Sequence, residues 1–353
     1  MRRLWYGLMG CMLFLSACTE EKPPSSSGTY SEGVFTINEG VFGQTSGTIS
    51  YYNRTNGTVQ QKIFKQVNGR DLGDVVQSMS FYEDRAYIVV NNSNKIEVAD
   101  ANTFEEKAQI TGLRLPRYCL AISTNKAYVT EWGDDGLTGT IAILDLNTHT
   151  VINRIAVGVG PEQLLFKDAK LYITHVGGYG TNNIVTVLNT VTDQIETTIS
   201  VFDKPSACVE DVDGFIWVAC AGKVAYLTYP TIDTANSTAS GLIRINPTNN
   251  AITKTISFGK GKPIGNLIIN TANKEELYYS RTSQVWKYHI GTDVEESLFN
   301  GSFYGLGFDP VTNYIYAATS VGVNAAEAQR YDTNGMLIDA YTVGVFANGF
   351  VFK

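Results

Sequence analysis

Histidines are few in this 353-residue chain, and the spacing of side chains able to do acid, base or metal chemistry forms no catalytic constellation. The three histidines are His149, His175 and His289. His149 and His289 fall at a turn or late in a strand, whereas His175 is expected on a variable loop face. It is the one starting point for a lyase or hydrolase reading. No His/Cys/Asp spacing suggests zinc. Asp134-Asp135-Gly136 and Asp211-Val212-Asp213-Gly214 offer carboxylates for calcium. Both lack the ordered oxygen ligands of a calcium loop and read better as turns. Glu162 has no second carboxylate with which to act as a hydrolase pair. No Ser/His/Asp set or phosphate loop can be assigned. The expectation is a protein with no catalytic residues, no metal and no resident cofactor.

The chain offers aromatic and basic residues instead. Phe42, Trp132 and Tyr179 sit in loops of variable length, as do Tyr226 and Tyr229, which are expected to pack on one another. Arg117, Tyr118, Phe303, Tyr304 and Phe346 fall at or just before recurring strands, Glu162 heads another, and Arg281 follows one. Flat rings around a concave mouth, with a few polar groups, bind large planar or amphipathic ligands. Apart from the Tyr226 and Tyr229 pair, these are the candidate ligand-binding residues.

What must position them is a repeat. AYIVVNNSNKIEVADANTFEEKAQI, from Ala86 to Ile110, is echoed by AYVTEWGDDGLTGTIAILDLNTHTVINRI, from Ala127 to Ile155. Each unit reads as an inner strand, a second strand, a variable loop, a third strand, a D/N-x-x-T/N turn and a fourth strand. Six units run from Ser78, Leu113, Val159, Asp203, Lys260 and Ser302 to Gly344. The N-terminal fragment from Gly33 to Gly73 holds GVFTIN, TISYYNRTNG and VQQKIFKQ as strands two, three and four. The C-terminal ANGFVFK supplies the missing strand one. The sum is a seven-bladed β-propeller, all-β, whose first blade is closed by N- and C-terminal strands. A blade of about 40–50 residues fits the repeat length. The variable loops and the starts of the inner strands then share one face, and loop variation marks that face as functional. Trp217 and Trp286 lie in strand patterns and are expected between blades.

The first residues carry different information. Arg2 and Arg3 precede an apolar run from Leu4 to Leu15, too short to span a bilayer. Leu15-Ser16-Ala17-Cys18 follows and resembles a bacterial lipobox, which makes residues 1–17 a signal peptide and Cys18 the lipidated residue. Each buried acyl CH₂ contributes roughly 0.8 kcal/mol to anchoring. TEEKPPSSSG, from Thr19 to Gly28, is a tether by composition, so residues 18–32 are read as lipidated cysteine and linker and 33–353 as propeller. Cys119, Cys208 and Cys220 are an odd set for a disulfide framework; one Cys208–Cys220 bridge is open, with buried thiols the simpler reading.

Charged residues are 17% and hydrophobic ones 44%, so a packed core forms and disorder is disfavoured. The net charge of −7, with no Lys/Arg cluster, excludes a nucleic-acid partner.

The repeat, clearest from Ala127 to Leu164 and ending IAILDLNTHTVINRIAVGVGPEQL, resembles the YncE-like seven-bladed propellers over nearly all of the mature chain. GVFTINEGVFGQTSGTISYYN, Gly33 to Asn53, together with the lipobox and the acidic Glu20-Glu21, resembles the surface lipoproteins of Bacteroidetes. Within these it is most similar to the cobalamin-binding BtuG-type proteins. That resemblance implies a lipid-anchored protein of the outer membrane, exposed on the cell surface. It would carry cobalamin or a related corrinoid as transported ligand and have a TonB-dependent outer-membrane transporter of BtuB type as partner. A protein-binding surface-layer or adhesion scaffold, or a receptor for another nutrient, is the alternative, since fold does not fix function.

Overall fold

A computed structural model describes residues 28–319 and 322–353. The expected leader, Cys18 and most of the tether lie outside the described residues. Among the described residues, seven four-stranded antiparallel sheets follow one another, and a two-stranded hairpin, Tyr226–Thr228 with Thr231–Ile232, rises from the fifth. The chain is the expected seven-bladed propeller. Its inner strands, in blade order, are Ala347–Phe352, Val76–Tyr82, Pro116–Ala121, Pro161–Lys167, Pro205–Glu210, Ile264–Ile269 and Phe303–Asp309. Each lies beside the inner strands of its two neighbouring blades. No helix among the described residues is long and apolar enough to cross a membrane.

Blade 1 is shared between the chain ends. Val34–Asn38 pairs with Thr48–Tyr52 on one side and with Ala347–Phe352 on the other, Val34 opposite Phe352. Closure pairs Val34–Asn38 on both sides, so that strand is not left as a sheet edge. Its fourth strand departs from expectation. Of VQQKIFKQ only Val59–Gln60 is strand, and Ile63–Asn68 is a helix. The reason is periodicity. Successive strand residues point to opposite faces, and the fourth strands of blades 2 to 4 are largely exposed, so such a strand would leave Ile63 or Phe64 in solvent. The helix buries both against blade 2. Within the segment read as tether, Tyr30 is buried, edge-on to Tyr51 at 5.0 Å, and its N–H donates to the Asn102 carbonyl at 2.9 Å. The packed body therefore includes Tyr30, ahead of the repeat's first strand.

The recurrent D/N-x-x-T/N turn has a hydrogen-bonding cause. The leading side chain accepts backbone N–H groups within the turn: Asp100 from Asn102 and Thr103, Asp145 from Asn147, Asn189 from Val191 and Thr192. Asx groups favour such turns for this reason. The residue after the motif is left-handed, as at His149, Asp193 and Asn250. These residues also clamp neighbours: the hydroxyl of Tyr128 donates to Asp193 in the next blade, and that of Tyr172 to Asn250 at 2.9 Å.

Hydrophobic side chains fill every blade interface, one cluster for each of six and two at the closing seam. Trp217 is wholly buried between blades 5 and 6, donating its indole N–H to Asp211 at 2.8 Å, and Trp286 packs in the same interface. Cys119, Cys208 and Cys220 are buried and free. Cys208 faces Val218 and Cys220 faces Pro205, so the two thiols are not cross-strand partners. Burial pushes the Cys208 thiol up to about 12, which keeps it protonated and inert.

Candidate ligand-binding mouth

Each inner strand slips register by one residue near its start. The slip falls at Gln77, at Arg117-Tyr118, at Glu162-Gln163, at Ser206, at Asn266-Leu267, at Tyr304 and at Asn348. A one-residue bulge breaks the ladder locally and re-aims side chains. Seven bulges at one level aim seven groups at the propeller axis. In blades 3, 4 and 5 the strand opens on Pro116, Pro161 or Pro205, which has no N–H for the ladder, and the bulge follows at once.

The bulge residues line a cleft of about 590 Å³, within the ordinary range of small-molecule sites. Below it lies an axial tunnel of about 370 Å³ whose walls include Met79, Cys119, Ala207 and Leu306. Gln77, Tyr118, Glu162, Ser206, Asn266 and Asn348 border both, forming a neck of amides and hydroxyls with one acid.

One side of the mouth is a connected polar network. Arg117 donates to both oxygens of Glu162, at 2.7 and 3.0 Å, and also to the side-chain oxygen of Gln77. Its guanidinium lies 4.1 Å from the Trp132 ring centre, and the Trp132 N–H donates to Glu162 at 3.1 Å. Burial opposes the Arg117 charge, yet Glu162 beside it holds its pKa above the ordinary value. Burial and then Glu162 push the Tyr118 hydroxyl up to about 12. Glu39 accepts from the Tyr304 hydroxyl at 2.8 Å and from the Asn348 amide at 2.8 Å, and Asn348 also donates to the Gln77 carbonyl at 2.9 Å.

The structure sorts the expected binding residues. Arg117, Tyr118, Glu162, Arg281, Phe303 and Tyr304 line the cleft. Trp132 lies beneath Arg117 rather than in the wall, and Phe346 lies edge-on behind Tyr304 at 5.9 Å. Phe42 and Tyr179 are exposed on outlying loops, and the cleft wall includes neither. Arg281 is held in a blade interface, 4.2 Å from the ring centres of both Phe258 and Trp286 and 3.0 Å from Glu295. Glu162 pairs with the Arg117 guanidinium. The Tyr226 and Tyr229 rings do touch, at 5.4 Å, but they project from the body and are largely exposed.

His175 does not reach the variable face. It ends the second strand of blade 4 and is wholly buried. One ring nitrogen meets the Gly158 carbonyl at 3.0 Å and the other the Thr186 hydroxyl at 2.9 Å. Burial lowers its pKa to about 4. The Asp135 and Asp211 carboxylates are engaged by their own turns, Asp135 by the N–H groups of Leu137 and Thr138 and Asp211 by that of Phe215.

Sequence reasoning missed Gln77, Ser206, Asn266, Asn348 and Glu39. Ser206 stands to Pro205 as Arg117 does to Pro116 and Glu162 to Pro161, and that alignment was a usable signal. The others follow no such marker.

The family model described as a domain of unknown function, DUF5074, matches residues 32–353. A search of the curated proteins finds no match. Among solved structures, the chain is similar to a quinoprotein alcohol dehydrogenase-like protein from Bacteroides thetaiotaomicron. The two are 13% identical with a TM-score of 0.65, over 92% of this chain and 78% of that one. It is similar to the periplasmic gluconolactonase PpgL of Pseudomonas aeruginosa, at 12% identity and TM-score 0.63, over 90% of this chain and 99% of that one. It is also similar to the hydrazine synthase of Kuenenia stuttgartiensis, at 13% identity and TM-score 0.60, over 75% and 85%. Such identities show a shared propeller fold and carry no activity across.

Proposed function

The chain belongs to the DUF5074 family, a domain of unknown function, and we propose that its propeller is a capture device. In this reading it is lipidated at Cys18 and exposed on the outer membrane. It holds cobalamin or a related corrinoid across the mouth and passes it to a TonB-dependent transporter of BtuB type. The observation that carries the proposal is the ring of seven bulges, which turns amides and hydroxyls toward one cleft. A corrinoid is a broad macrocycle fringed with primary amides, and the amides of Gln77, Asn266 and Asn348 are their natural hydrogen-bonding complements. The macrocycle spans the mouth, and its side chains enter the neck. The resemblance of Gly33–Asn53 to the BtuG-type proteins supports the same ligand. No reaction is proposed. Arg117, Glu162, Glu39 and Tyr304 are bonded to one another and serve to shape the site.

Calorimetric titration of residues 28–353 with cyanocobalamin tests this reading. The expected result is one-to-one binding with Kd of about 1 μM or tighter. Absence of heat and of any thermal shift at high ligand rejects corrinoid capture.

The exposed hairpin favours a second reading, a protein-binding scaffold. Leu227 and Tyr229 are 70% and 81% exposed beside the mouth-face loops, and such apolar residues suit a protein partner. That reading predicts a stable partner in cell-surface pull-downs, lost in Leu227→Ser with Tyr229→Ser, and no small-molecule affinity.

A further inference from the structure

The mouth is lopsided. The loop between second and third strands is long in blade 5, where it covers 221–238, and in blades 1, 3 and 4, where it covers 39–47, 132–139 and 176–183. In blade 6 it is Thr282 and Ser283 alone. The cleft follows this low wall. Ile264, Gly265, Asn266 and Ser280 to Ser283 from blade 6, then Gly301 to Tyr304 leading into blade 7, supply more than half of its lining. Here the bulge ring opens sideways onto a shelf of small side chains.

The shelf's hydrogen-bonding side chains are neutral groups that both donate and accept. The Asn266 amide donates to the Ser280 hydroxyl at 3.3 Å and to the Phe303 carbonyl at 3.1 Å, leaving its side-chain oxygen as an acceptor. Ser302 donates to Ser283 at 3.0 Å, so Ser302 keeps lone pairs to accept with and Ser283 its proton to donate. The Tyr304 hydroxyl gives its proton to Glu39, which fixes an aromatic ring that is 42% exposed. Asn266 holds φ at 52°, an uncommon backbone state that the bulge imposes. The nearest cation, Arg281, is committed to Phe258, Trp286 and Glu295. A shelf of neutral hydroxyls and an amide oxygen, poor in free positive charge and close to Glu39, disfavours phosphate and carboxylate. It suits a neutral group that donates several hydroxyl protons and lays an apolar face on an aromatic ring.

We infer that this shelf, formed by Asn266, Ser280, Ser302 and the face of Tyr304, is a subsite for a sugar ring that opens sideways from the axial neck at Asn266. The inference deepens the corrinoid reading and rests on it for the larger ligand. Two sources present the same chemistry: the ribose of a corrinoid's nucleotide arm, and a free or chain-end sugar.

Titration of residues 28–353 with cyanocobalamin and with dicyanocobinamide, which lacks the nucleotide arm, separates them. Both titrations are repeated on Ser302→Trp, in which an exposed serine is replaced by a ring that fills the shelf; a melting curve verifies its fold. Wild type is expected to prefer cyanocobalamin by about tenfold or more, and Ser302→Trp to bring the ratio near one. Equal affinities in wild type, or a preference that survives Ser302→Trp, overturn the subsite as the arm's seat. If neither corrinoid binds, corrinoid capture has failed, and the shelf is probed directly. Saturation-transfer NMR with methyl ribofuranoside and methyl glucopyranoside is then the readout. Transfer that Ser302→Trp abolishes supports a free-sugar site, and no transfer to either probe overturns the inference.

Discussion

Arg117 and Glu162 stand on the inner strands of adjacent blades and meet as a two-pronged ion pair at the neck of the propeller, with side chains only 15% and 8% exposed. Each occupies its strand's bulge, so the pair exists because two backbones slip register at the same level. It joins blades 3 and 4 where their strands share no ladder bonds, and it sets the height of the mouth's floor.

Removing one partner strands the other. A buried charge left unpaired costs about 3–5 kcal/mol, whereas replacing both by apolar groups is often neutral. Glu162→Ala is therefore expected to lower unfolding stability by about 3 kcal/mol. The double variant Arg117→Met with Glu162→Leu should recover most of that loss. Urea unfolding of the three proteins checks it, and a double variant no better than the single would show that the charges are solvated in place.

Trp132 props this pair from beneath. Its ring lies under the guanidinium and its N–H reaches Glu162, and a partly desolvated cation–π contact contributes about 1–2 kcal/mol. Trp132→Ala should leave the propeller folded and weaken cyanocobalamin binding by about tenfold, or about 1.4 kcal/mol. The loss arises because Arg117 and Glu162 are freed to move, not because a ligand contact is deleted. Unchanged affinity in a folded variant would remove Trp132 from any part in binding.

Repetition made the fold legible before the structure. The D/N-x-x-T/N turns mark blade ends because an Asx side chain must satisfy turn N–H groups, and the three strands of Gly33 to Gly73 sum with ANGFVFK to one blade. Ile63-Phe64 was misread because a two-residue apolar pair breaks strand periodicity only weakly, and burial against blade 2 decides the matter. The mouth was half legible. Arg117, Glu162 and Tyr118 follow prolines that announce a strand start, whereas Gln77, Asn266 and Asn348 are ordinary polar letters brought to the mouth by a backbone slip. A bulge is a relation between two strands, and one strand's letters do not contain it. His175 was misplaced for the same kind of reason, since the strand of blade 4 runs one residue longer than its apolar run and carries the ring inside.

His175 gives the fold an acid-sensitive point. Its pKa is about 4 in the folded protein against 6.5 unexposed to the fold, because burial penalises the charged ring. The unfolded chain therefore binds the proton first. Stability is fully present above pH 6.5 and is lost as pH falls from 6.5 toward 4, by about 3 kcal/mol in all. His175→Gln should flatten this slope while keeping a side chain able to reach Thr186. Denaturant unfolding at stepped pH is the check, and an equal slope in the variant would place the acid sensitivity elsewhere.

Asp309 and Arg54 hold the ring shut. Arg54, in the turn after the third strand of blade 1, binds both carboxylate oxygens of Asp309 from blade 7, at 2.7 and 2.9 Å, and also reaches the Lys353 carbonyl. Asp309 is fully buried and Arg54 is 11% exposed, so the pair falls in the class whose breakage costs about 3–5 kcal/mol. Lys65 and Asp71 form a pair of similar length, but both are about half exposed, and such pairs contribute about 1 kcal/mol or less. Asp309→Ala should therefore destabilise the protein several times more than Asp71→Ala. The damage should also be local. Amide exchange is expected to accelerate in Ala347–Phe352 and Val34–Asn38, the two strands that close blade 1, while blades 3 to 5 stay protected. Uniform acceleration across all blades would mean that the propeller unfolds as one unit and the seam has no separate weakness. Unchanged protection at both strands would mean that the backbone ladder closes the ring without the ion pair.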